Sequence, residues 1–107
     1  MKATTAVERL WALAQQSRLA IFRQLVQAGP EGRAAGEIAS ALRIPAATLS
    51  FHLKELSGAG LVRSRQDGRY IYYYPDLVAM NELLGYLTEN CCGSGQSCVP
   101  CKPAKKS

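Results

Sequence analysis

The sequence predicts a mainly α-helical domain with one β-hairpin, in the order α-α-α-α-β-β-α. Apolar residues recur at helical spacing in four successive segments between residues 4 and 58. Two runs rich in branched, arginine and tyrosine residues follow, and Asp67-Gly68 separates them. A fifth segment returns to helical spacing after Pro75. The 107 residues are enough for one domain and too few for two.

The first two predicted helices each carry an apolar stripe at the spacing i, i+3, i+4, i+7 or close to it. The first helix covers residues 4–15 and the second covers residues 17–28, which Gly29-Pro30 ends. We expect both stripes to be buried. Their members are Val7, Leu10, Trp11 and Ala14 in the first helix, and Leu19, Phe22, Leu25 and Val26 in the second.

A third and a fourth helix are predicted on either side of a tight turn. The third is short and covers residues 34–42, with Ile38, Ala39 and Leu42 as its apolar residues. After the turn at residues 43–45, the fourth helix covers residues 46–58, and proline suits such a helix start because it lacks an N–H. The buried stripe of this fourth helix consists of Leu49, Leu53 and Leu56.

The hairpin and the last helix complete the predicted domain. Residues 61–66 and 69–74 form the strands, since Asp67-Gly68 tolerates the positive φ of a tight turn. The last helix covers residues 75–90, with Leu77, Met80, Leu84 and Leu87 on one side. The domain therefore spans residues 1–92, and residues 93–107 are expected to form a flexible tail that contains cysteine and lysine.

Composition excludes several classes of protein. No apolar run approaches the roughly 18 residues of a membrane span, and no signal-peptide pattern opens the chain. All four cysteines lie between Cys91 and Cys101, which excludes a disulfide framework distributed through the fold. The net charge of +5 favours an anionic partner. We expect a cytoplasmic protein with no membrane partner.

The order of the elements indicates a winged helix-turn-helix, in which the fourth helix enters the major groove of double-stranded DNA. Its candidate DNA-binding residues are Ala47, Thr48, Ser50, Phe51, His52 and Lys54. Lys54 can neutralise a phosphate, and Phe51 can pack on a thymine methyl group or, alternatively, face solvent or a partner. His52 lies at the edge of the buried stripe, where it either contacts bases or bonds to nearby backbone.

The hairpin is the candidate wing, and its arginines are candidate phosphate ligands. Arg63 and Arg65 share one face of their strand because strand side chains alternate, and Arg69 follows the turn. Three arginines beside a helix that fits the groove favour contact with phosphates over simple solvation. The tyrosines of the second strand are strand formers that pack the hairpin.

Three segments together resemble the ArsR family of bacterial metalloregulatory repressors. They are residues 47–56 (ATLSFHLKEL), 59–62 (AGLV) and 67–73 (DGRYIYY). The resemblance covers residues 5–92 and implies a homodimeric winged-helix repressor of operator DNA, in which the first and last helices form the dimer contact. The residues that it assigns to this contact are Val7, Leu10, Trp11, Leu77, Met80, Leu84 and Leu87.

The cysteines have the spacing Cys-Cys-x5-Cys-x2-Cys, which is unusual for packing residues and typical of a thiolate site for a soft metal or metalloid. In many family members the arsenic ligands form a Cys-Val-Cys motif in the third helix, where this chain has Ala34, Ala35 and Gly36. The resemblance extends to an arsenic-responsive subclass that places Cys-Cys-x5-Cys after the last helix. It implies that Cys91, Cys92 and Cys98 bind trivalent arsenic or antimony, with Cys101 as a further candidate.

Two other interpretations of the thiols stay open. Zinc or cadmium could bind all four cysteines, since Cys98-x2-Cys101 is a normal half-site, although the adjacent Cys91 and Cys92 make an awkward second half. The family's zinc site at the dimer contact needs Asp/His pairs on the last helix, and this helix has no His. Alternatively, the thiols are redox-active or incidental.

An enzyme is not expected. The sequence has no nucleophile–base pair, phosphate loop or nucleotide fingerprint. Cys91 and Cys92 follow the end of a helix, whereas a catalytic dithiol usually lies at a helix start, where the dipole lowers its pKa. The expected function is an arsenite-responsive repressor. The alternatives are a zinc- or cadmium-responsive repressor and a DNA-binding module with an incidental thiol tail.

Overall fold

The computed structural model describes residues 1–89, which form five α-helices and a three-stranded antiparallel sheet. The helices are α1 (Ala3–Leu13), α2 (Gln16–Ala28), α3 (Ala35–Leu42), α4 (Ala46–Gly58) and α5 (Leu77–Thr88). The strands are β1 (Arg33–Ala34), β2 (Val62–Asp67) and β3 (Tyr70–Pro75), with β3 in the middle. In this part of the chain, no helix has both the length and the apolar character to cross a bilayer. The predicted domain boundary after residue 92 and the tail 93–107 lie outside the described residues.

The core lies between α2, α3 and α4 and extends to the base of the wing. Its fully buried side chains are Ile21, Leu25, Ile38, Leu49, Leu56 and Leu61. The predicted stripe of α4 is confirmed, because Leu49, Leu53 and Leu56 are all buried in this cluster. The helix bounds predicted for α4 are also confirmed, and its apolar face packs it against the core.

The apolar stripe predicted for α1 does not face the core of the chain. Val7 and Trp11 are 59% and 65% exposed, and Leu10 and Ala14 are exposed as well. The fully buried residues of α1 are Ala6 and Ala12, and Leu13 packs partly against the core. The prediction was wrong about burial because helical periodicity shows that a face is apolar, but not whether the same chain covers it.

Part of the stripe predicted for α2 is wrong for a related reason. Phe22 and Leu25 are buried, whereas Leu19 and Val26 are exposed. The buried face of α2 includes Ile21 and the side chain of Arg18 instead. The core-facing stripe is therefore rotated toward α1 and α4 relative to the prediction.

A short strand that the sequence analysis missed precedes α3. Arg33 and Ala34 pair with Tyr73 and Tyr72 of β3, so Ala34 belongs to β1 and α3 begins at the next residue. The predicted order is corrected to α-α-β-α-α-β-β-α. Two residues are too few to show the alternation that reveals a strand.

The hairpin forms the predicted wing, with a turn displaced by one residue. Asp67 is paired with Tyr70, so the two loop residues are Gly68 and Arg69 rather than Asp67-Gly68. Gly68 has φ +64°, and Arg69 is not among the residues with positive φ. That combination is typical of a type II′ turn, which requires glycine at its first central position.

Helix α5 is joined to the rest of the domain at its first turn. Asp76 caps it by accepting a hydrogen bond from the Ala79 amide at 2.9 Å, and the Asp76 amide donates to the Leu61 carbonyl at 2.8 Å. Ala79 and Leu83 are its buried residues, and Met80 packs against the core. The helix ends at Thr88, two residues before the predicted end at Asn90.

Replacing Gly32 by alanine should lower the free energy of unfolding by about 2 kcal/mol. Gly32 has φ +81°, and a Cβ there would lie 2.5 Å from the Tyr73 carbonyl oxygen, so β1 would have to move away from β3. Urea unfolding at one fixed protein concentration measures the change. The matched control is Gly36→Ala, where a Cβ meets nothing within 4 Å; we expect it to change stability by less than about 1 kcal/mol. Equal stability of the two variants would contradict the close approach at Gly32.

Candidate nucleic-acid interface

The turn between α3 and α4 fixes the start of the candidate recognition helix. Arg43 ends α3 in the left-handed conformation, with φ +57°, and the Ile44 amide donates to the Ala39 carbonyl at 3.0 Å. Ile44 packs partly against the core. Pro45 is the residue before the helix, and its carbonyl accepts the Leu49 amide at 2.9 Å. The direction of α4 after the turn is therefore set by these backbone hydrogen bonds and by two side chains that pack in the core, Ile44 in the turn and Leu49 in the helix.

The exposed face of α4 carries five of the six residues predicted to contact DNA. Four of them are small, hydroxyl-bearing or cationic, and Phe51 is an aromatic side chain that is 55% exposed. A protruding helix face with small and hydroxyl side chains can approach base edges closely, and lysine can neutralise a phosphate. The exposed residues are Ala47, Thr48, Ser50, Phe51 and Lys54.

His52 is the exception, because its side chain is buried on the inner side of α4. Its Nδ1 lies 3.4 Å from Nη1 of the buried Arg18 on α2. A guanidinium only donates, so a hydrogen bond at this contact requires Nδ1 to accept, as it can in a neutral imidazole with its proton on Nε2. The structure supports the boundary role that the sequence left open, with Arg18 rather than backbone as the partner. It does not place His52 among the base-contacting side chains.

Arg18 connects three helices at this point. Its Nε donates to the Ala12 carbonyl in the last turn of α1 at 2.8 Å, and its Cζ lies 5.6 Å from the centroid of the Trp11 ring. Its own amide donates to the side chain of Gln15, which caps α2. Together with His52, these contacts fasten α1 and α4 to the start of α2.

Burial lowers the pKa of His52 below the ordinary histidine value, and the neighbouring Arg18 guanidinium lowers it further. The Glu55 carboxylate, one turn along α4, acts in the opposite direction. A proton on Nδ1 would remove the acceptor that Arg18 needs and place two cations 3.4 Å apart. The contact therefore depends on a neutral imidazole.

The three wing arginines differ in the contacts that they make within the chain. Arg63 lies 3.5 Å from the Asp76 carboxylate at the base of the wing. Arg65 donates to the Glu31 carbonyl at 2.6 Å and lies over the Tyr72 ring, with its Cζ 5.1 Å from the centroid. Among the contacts of the described residues, none holds the Arg69 guanidinium at the tip. Arg69 is the arginine whose donors are most available to a phosphate.

The residues predicted at a dimer contact are exposed, with one exception. Met80 is only partly exposed and packs against the core of its own chain, and its place at a dimer contact stays a prediction. Val78, which the sequence analysis did not select, is 70% exposed on α5. The exposed members of the predicted set are Val7, Leu10, Trp11, Leu77, Leu84 and Leu87.

Arg18 and Asp76 are the site-organising residues that the sequence analysis missed. For Arg18 a signal was present, because residues 18, 21, 22 and 25 have the spacing i, i+3, i+4, i+7 of a buried stripe. An arginine in such a stripe indicates a buried charge with partners on other elements. For Asp76 the signal was an N-cap residue directly before a helical segment.

The predicted metal ligands Cys91, Cys92, Cys98 and Cys101 lie outside the described residues. Within residues 1–89, no group of three or more His, Cys, Asp or Glu side chains is placed to hold a metal ion.

Comparisons with known proteins also indicate a helix-turn-helix transcriptional regulator. Residues 13–65 match the model of a family described as a helix-turn-helix domain. Over 61 residues the chain is 43% identical to an HTH-type transcriptional regulator of Bacillus subtilis, YceK, and this match covers 57% of the chain and 60% of that relative. The chain thus spans less than two thirds of the length of this curated relative.

Two solved structures share the fold over most of their length. One is the homodimeric winged helix-turn-helix DNA-binding domain of Mb0332 from Mycobacterium bovis, described as a possible ArsR-family transcriptional regulator. It has a TM-score of 0.65 and 32% identity, over 78% of this chain and 77% of that one. The other is described as a possible transcriptional regulator for arsenical resistance. It has a TM-score of 0.65 and 27% identity, over 75% of this chain and 80% of that one.

Lowering the pH should destabilise the fold through His52. Its pKa is lower in the folded chain than in the unfolded chain, so below about pH 6.5 the unfolded state binds more protons. The free energy of unfolding then falls by up to about 1.4 kcal/mol for each pH unit until the folded imidazole also titrates. Urea unfolding between pH 8 and pH 5 measures this. The His52→Asn variant, whose side chain does not titrate, should lack this component.

Because His52 is the only histidine, NMR titration of its ring measures the folded pKa directly. A value at or above the ordinary histidine value would contradict the neutral, buried imidazole.

Proposed function

This chain belongs to the ArsR-like winged helix-turn-helix transcriptional regulators, and from that premise we propose that it is an arsenite-responsive repressor. In this proposal it binds operator DNA as a homodimer and is released when trivalent arsenic or antimony binds Cys91, Cys92 and Cys98. The observation that carries the DNA-binding part is the exposed face of α4, which presents small, hydroxyl, aromatic and cationic side chains beside the wing. Such a repressor acts in the cytoplasm and not at a membrane.

Contact with DNA divides between the two exposed elements. The face of α4 enters the major groove, where Thr48, Ser50 and Phe51 approach base edges and Lys54 reaches a phosphate. The wing lies along the backbone, where Arg69 at its tip binds a phosphate. Arg65 contributes through the donors that the Glu31 carbonyl does not use. His52 does not contact bases in this proposal; it is buried and holds α4 through its contact with Arg18.

Dimerisation is supported by apolar side chains that the chain leaves uncovered. Val7, Leu10 and Trp11 on α1 and Leu84 and Leu87 on α5 are each more than 40% exposed. Large apolar side chains grouped along a helix face are typical of an interface. The solved Mycobacterium bovis domain that shares this fold is homodimeric. Two copies would place two α4 helices for an inverted repeat of half-sites.

The ligand is proposed from the thiols that directly follow the last helix. The sequence Cys-Cys-x5-Cys supplies three thiolates, which suit a trivalent arsenic or antimony centre, and thiolates select soft metals and metalloids. A structural relative of this chain is described as a possible transcriptional regulator for arsenical resistance, which favours the same class of ligand. One observation favours a second candidate function: Cys98-x2-Cys101 is a normal half-site for zinc or cadmium bound by all four thiols.

Release would follow from coupling between the thiol segment and the DNA-binding elements. Binding of the ligand to the thiols that follow α5 favours a dimer geometry in which the two α4 helices no longer match the spacing of the half-sites. Couplings of this kind are typically about 1–3 kcal/mol, or roughly 5- to 150-fold in affinity. Because coupling is reciprocal, DNA would weaken arsenite binding by the same factor.

Changing Cys91, Cys92 or Cys98 to serine should leave the affinity for DNA intact and abolish release by arsenite, because each change removes one of three ligands. Arsenite and zinc are titrated separately into the DNA complex of each variant, and fluorescence anisotropy of the labelled duplex reports release. The matched control is Cys101→Ser, which should respond to arsenite as the parent chain does.

Each other outcome points to a different conclusion. Normal arsenite release by all three serine variants would refute the three-thiol site. Release by zinc that Cys101→Ser abolishes would support the zinc or cadmium alternative. A complex that responds to neither ion would identify the thiols as incidental to DNA binding.

Neutralising the wing arginines should weaken DNA binding in the order Arg69, then Arg65, then Arg63. Among the described residues no contact holds the Arg69 guanidinium, whereas Arg65 donates to the Glu31 carbonyl and Arg63 lies 3.5 Å from the Asp76 carboxylate. Arg69→Gln should lower affinity for all sequences and reduce the slope of log K against log salt by about 1, as loss of one phosphate contact does. Binding measured at several salt concentrations gives both quantities. An unchanged slope for Arg69→Gln would remove the wing tip from the interface.

A further inference from the structure

The Arg18 guanidinium is a buried cation whose described partners are all uncharged. Only 6% of its surface is exposed, and it contacts the Ala12 carbonyl, the His52 ring and the Trp11 ring. The ion pairs of residues 1–89 involve other arginines. A buried charge without a counter-ion costs free energy that an apolar side chain of similar length would not. Arg18 is therefore poorly explained as a stabilising residue.

The contacts of Arg18 explain it better as a device that fixes geometry. Its Nε and Nη1 donate in two directions from one planar group, to α1 at 2.8 Å and to α4 at 3.4 Å. A guanidinium is rigid, so the two acceptors are held at a fixed separation and angle. Apolar contacts between helices tolerate sliding, whereas two hydrogen bonds from one planar group do not.

The contact on α4 lies directly behind the exposed face. His52 is flanked in sequence by Phe51, whose ring centroid lies 5.7 Å from that of His52. A rotation of a few degrees about this contact moves the ends of the 13-residue helix by about 1 Å. A displacement of that size is enough to disrupt hydrogen bonds to base edges.

We propose that Arg18 is a positioning residue for DNA recognition: through His52 it sets the orientation of α4 relative to α1, and with it the fit of the exposed face of α4 to the major groove. Since Trp11 is also exposed on the face of α1 proposed to meet the second copy, Arg18 couples that surface to the recognition helix. This inference rests on the proposed DNA-binding function.

The protonation of His52 provides a readout that a merely structural role would not give. The charged groups acting on its ring are Arg18 from α2 and Glu55 from α4 itself, while α1 presents the uncharged Trp11 and Ala12 to Arg18. Protonation at Nδ1 removes the acceptor for Arg18. The orientation of α4, and with it the affinity for DNA, should therefore depend on pH through this single group.

The test uses the full chain and a duplex that this chain enriches from a random-sequence pool. Dissociation constants are measured from pH 8 to pH 5.5 for the parent chain, His52→Asn, His52→Leu, Arg18→Lys, Arg18→Met and the double variant Arg18→Met/His52→Leu. Asparagine keeps a neutral acceptor near the position of Nδ1, and leucine keeps only bulk. Arg23→Met is the matched control, because Arg23 is an exposed arginine of the same helix.

At pH 8 we expect His52→Asn to bind DNA within about twofold of the parent and His52→Leu to bind about tenfold more weakly. On acidification the parent should lose affinity relative to His52→Asn. Arg18→Met should weaken DNA binding about tenfold in the parent chain. In the His52→Leu background the same change should weaken binding by much less, because the contact between Arg18 and His52 is already lost there. Urea unfolding identifies variants that are folded under the binding conditions. If Arg18→Met is not folded, Arg18→Lys, which can reach only one of the two acceptors, replaces it and should bind severalfold more weakly than the parent.

Several outcomes would overturn the inference. If His52→Leu binds with the parent's affinity and pH profile, or if the effects of the Arg18 and His52 changes simply add, Arg18 does not position α4. An equal loss for Arg23→Met would attribute the effect to charge alone. If the chain enriches no duplex, the proposed DNA-binding function fails and this inference fails with it. Normal binding that is insensitive to both residues overturns only the inference.

Discussion

Helix α1 is held against the rest of the domain largely by polar contacts, and Arg18, which makes one of them, also contacts α4. The fully buried residues of this helix are Ala6 and Ala12, and Leu13 is its one large apolar side chain packed partly against the core. A buried leucine contributes about 1.5–3 kcal/mol, and alanine considerably less. Hydrogen bonds from two arginines add to this small apolar contact. Arg18 bonds the last turn of α1 to α2 and α4, and Arg9 donates to the Ala79 carbonyl of α5 at 2.8 Å.

Because polar contacts hold α1, its large apolar side chains remain exposed and are available for an interface with a second copy. Val7, Leu10 and Trp11 point away from the core, and residues 1–89 leave them exposed for a second copy to cover. A helix that is held on one side by directional hydrogen bonds and on the other by a partner transmits a change in that partner. In the proposed repressor, dimer geometry and the orientation of α4 are therefore linked through Arg18, whose partners lie on both helices.

The sequence predicted α4 and the wing well because their own residues decide them. The stripe of Leu49, Leu53 and Leu56 spans the helix, and a positive φ at Gly68 determines the hairpin. The predictions from sequence were wrong or incomplete where a residue's contact partner lies far away in the sequence or on another chain. The stripe of α1 has the same period whether its own chain or a second copy covers it. Arg18 and His52 are 34 residues apart, and no local pattern joins them. Strand β1 exists only because β3 accepts it.

The net charge of +5 says little about which side chains reach DNA, because contacts within the fold decide their availability. Asp76 illustrates this: its Oδ1 caps α5 at the Ala79 amide, and its Oδ2 lies 3.5 Å from Arg63 of the wing. One carboxylate therefore ties the base of the wing to the helix that directly precedes the thiols. Arg9 ties the same turn of α5 to α1 through the Ala79 carbonyl. Polar contacts therefore join the first turn of α5 both to the base of the wing and to α1.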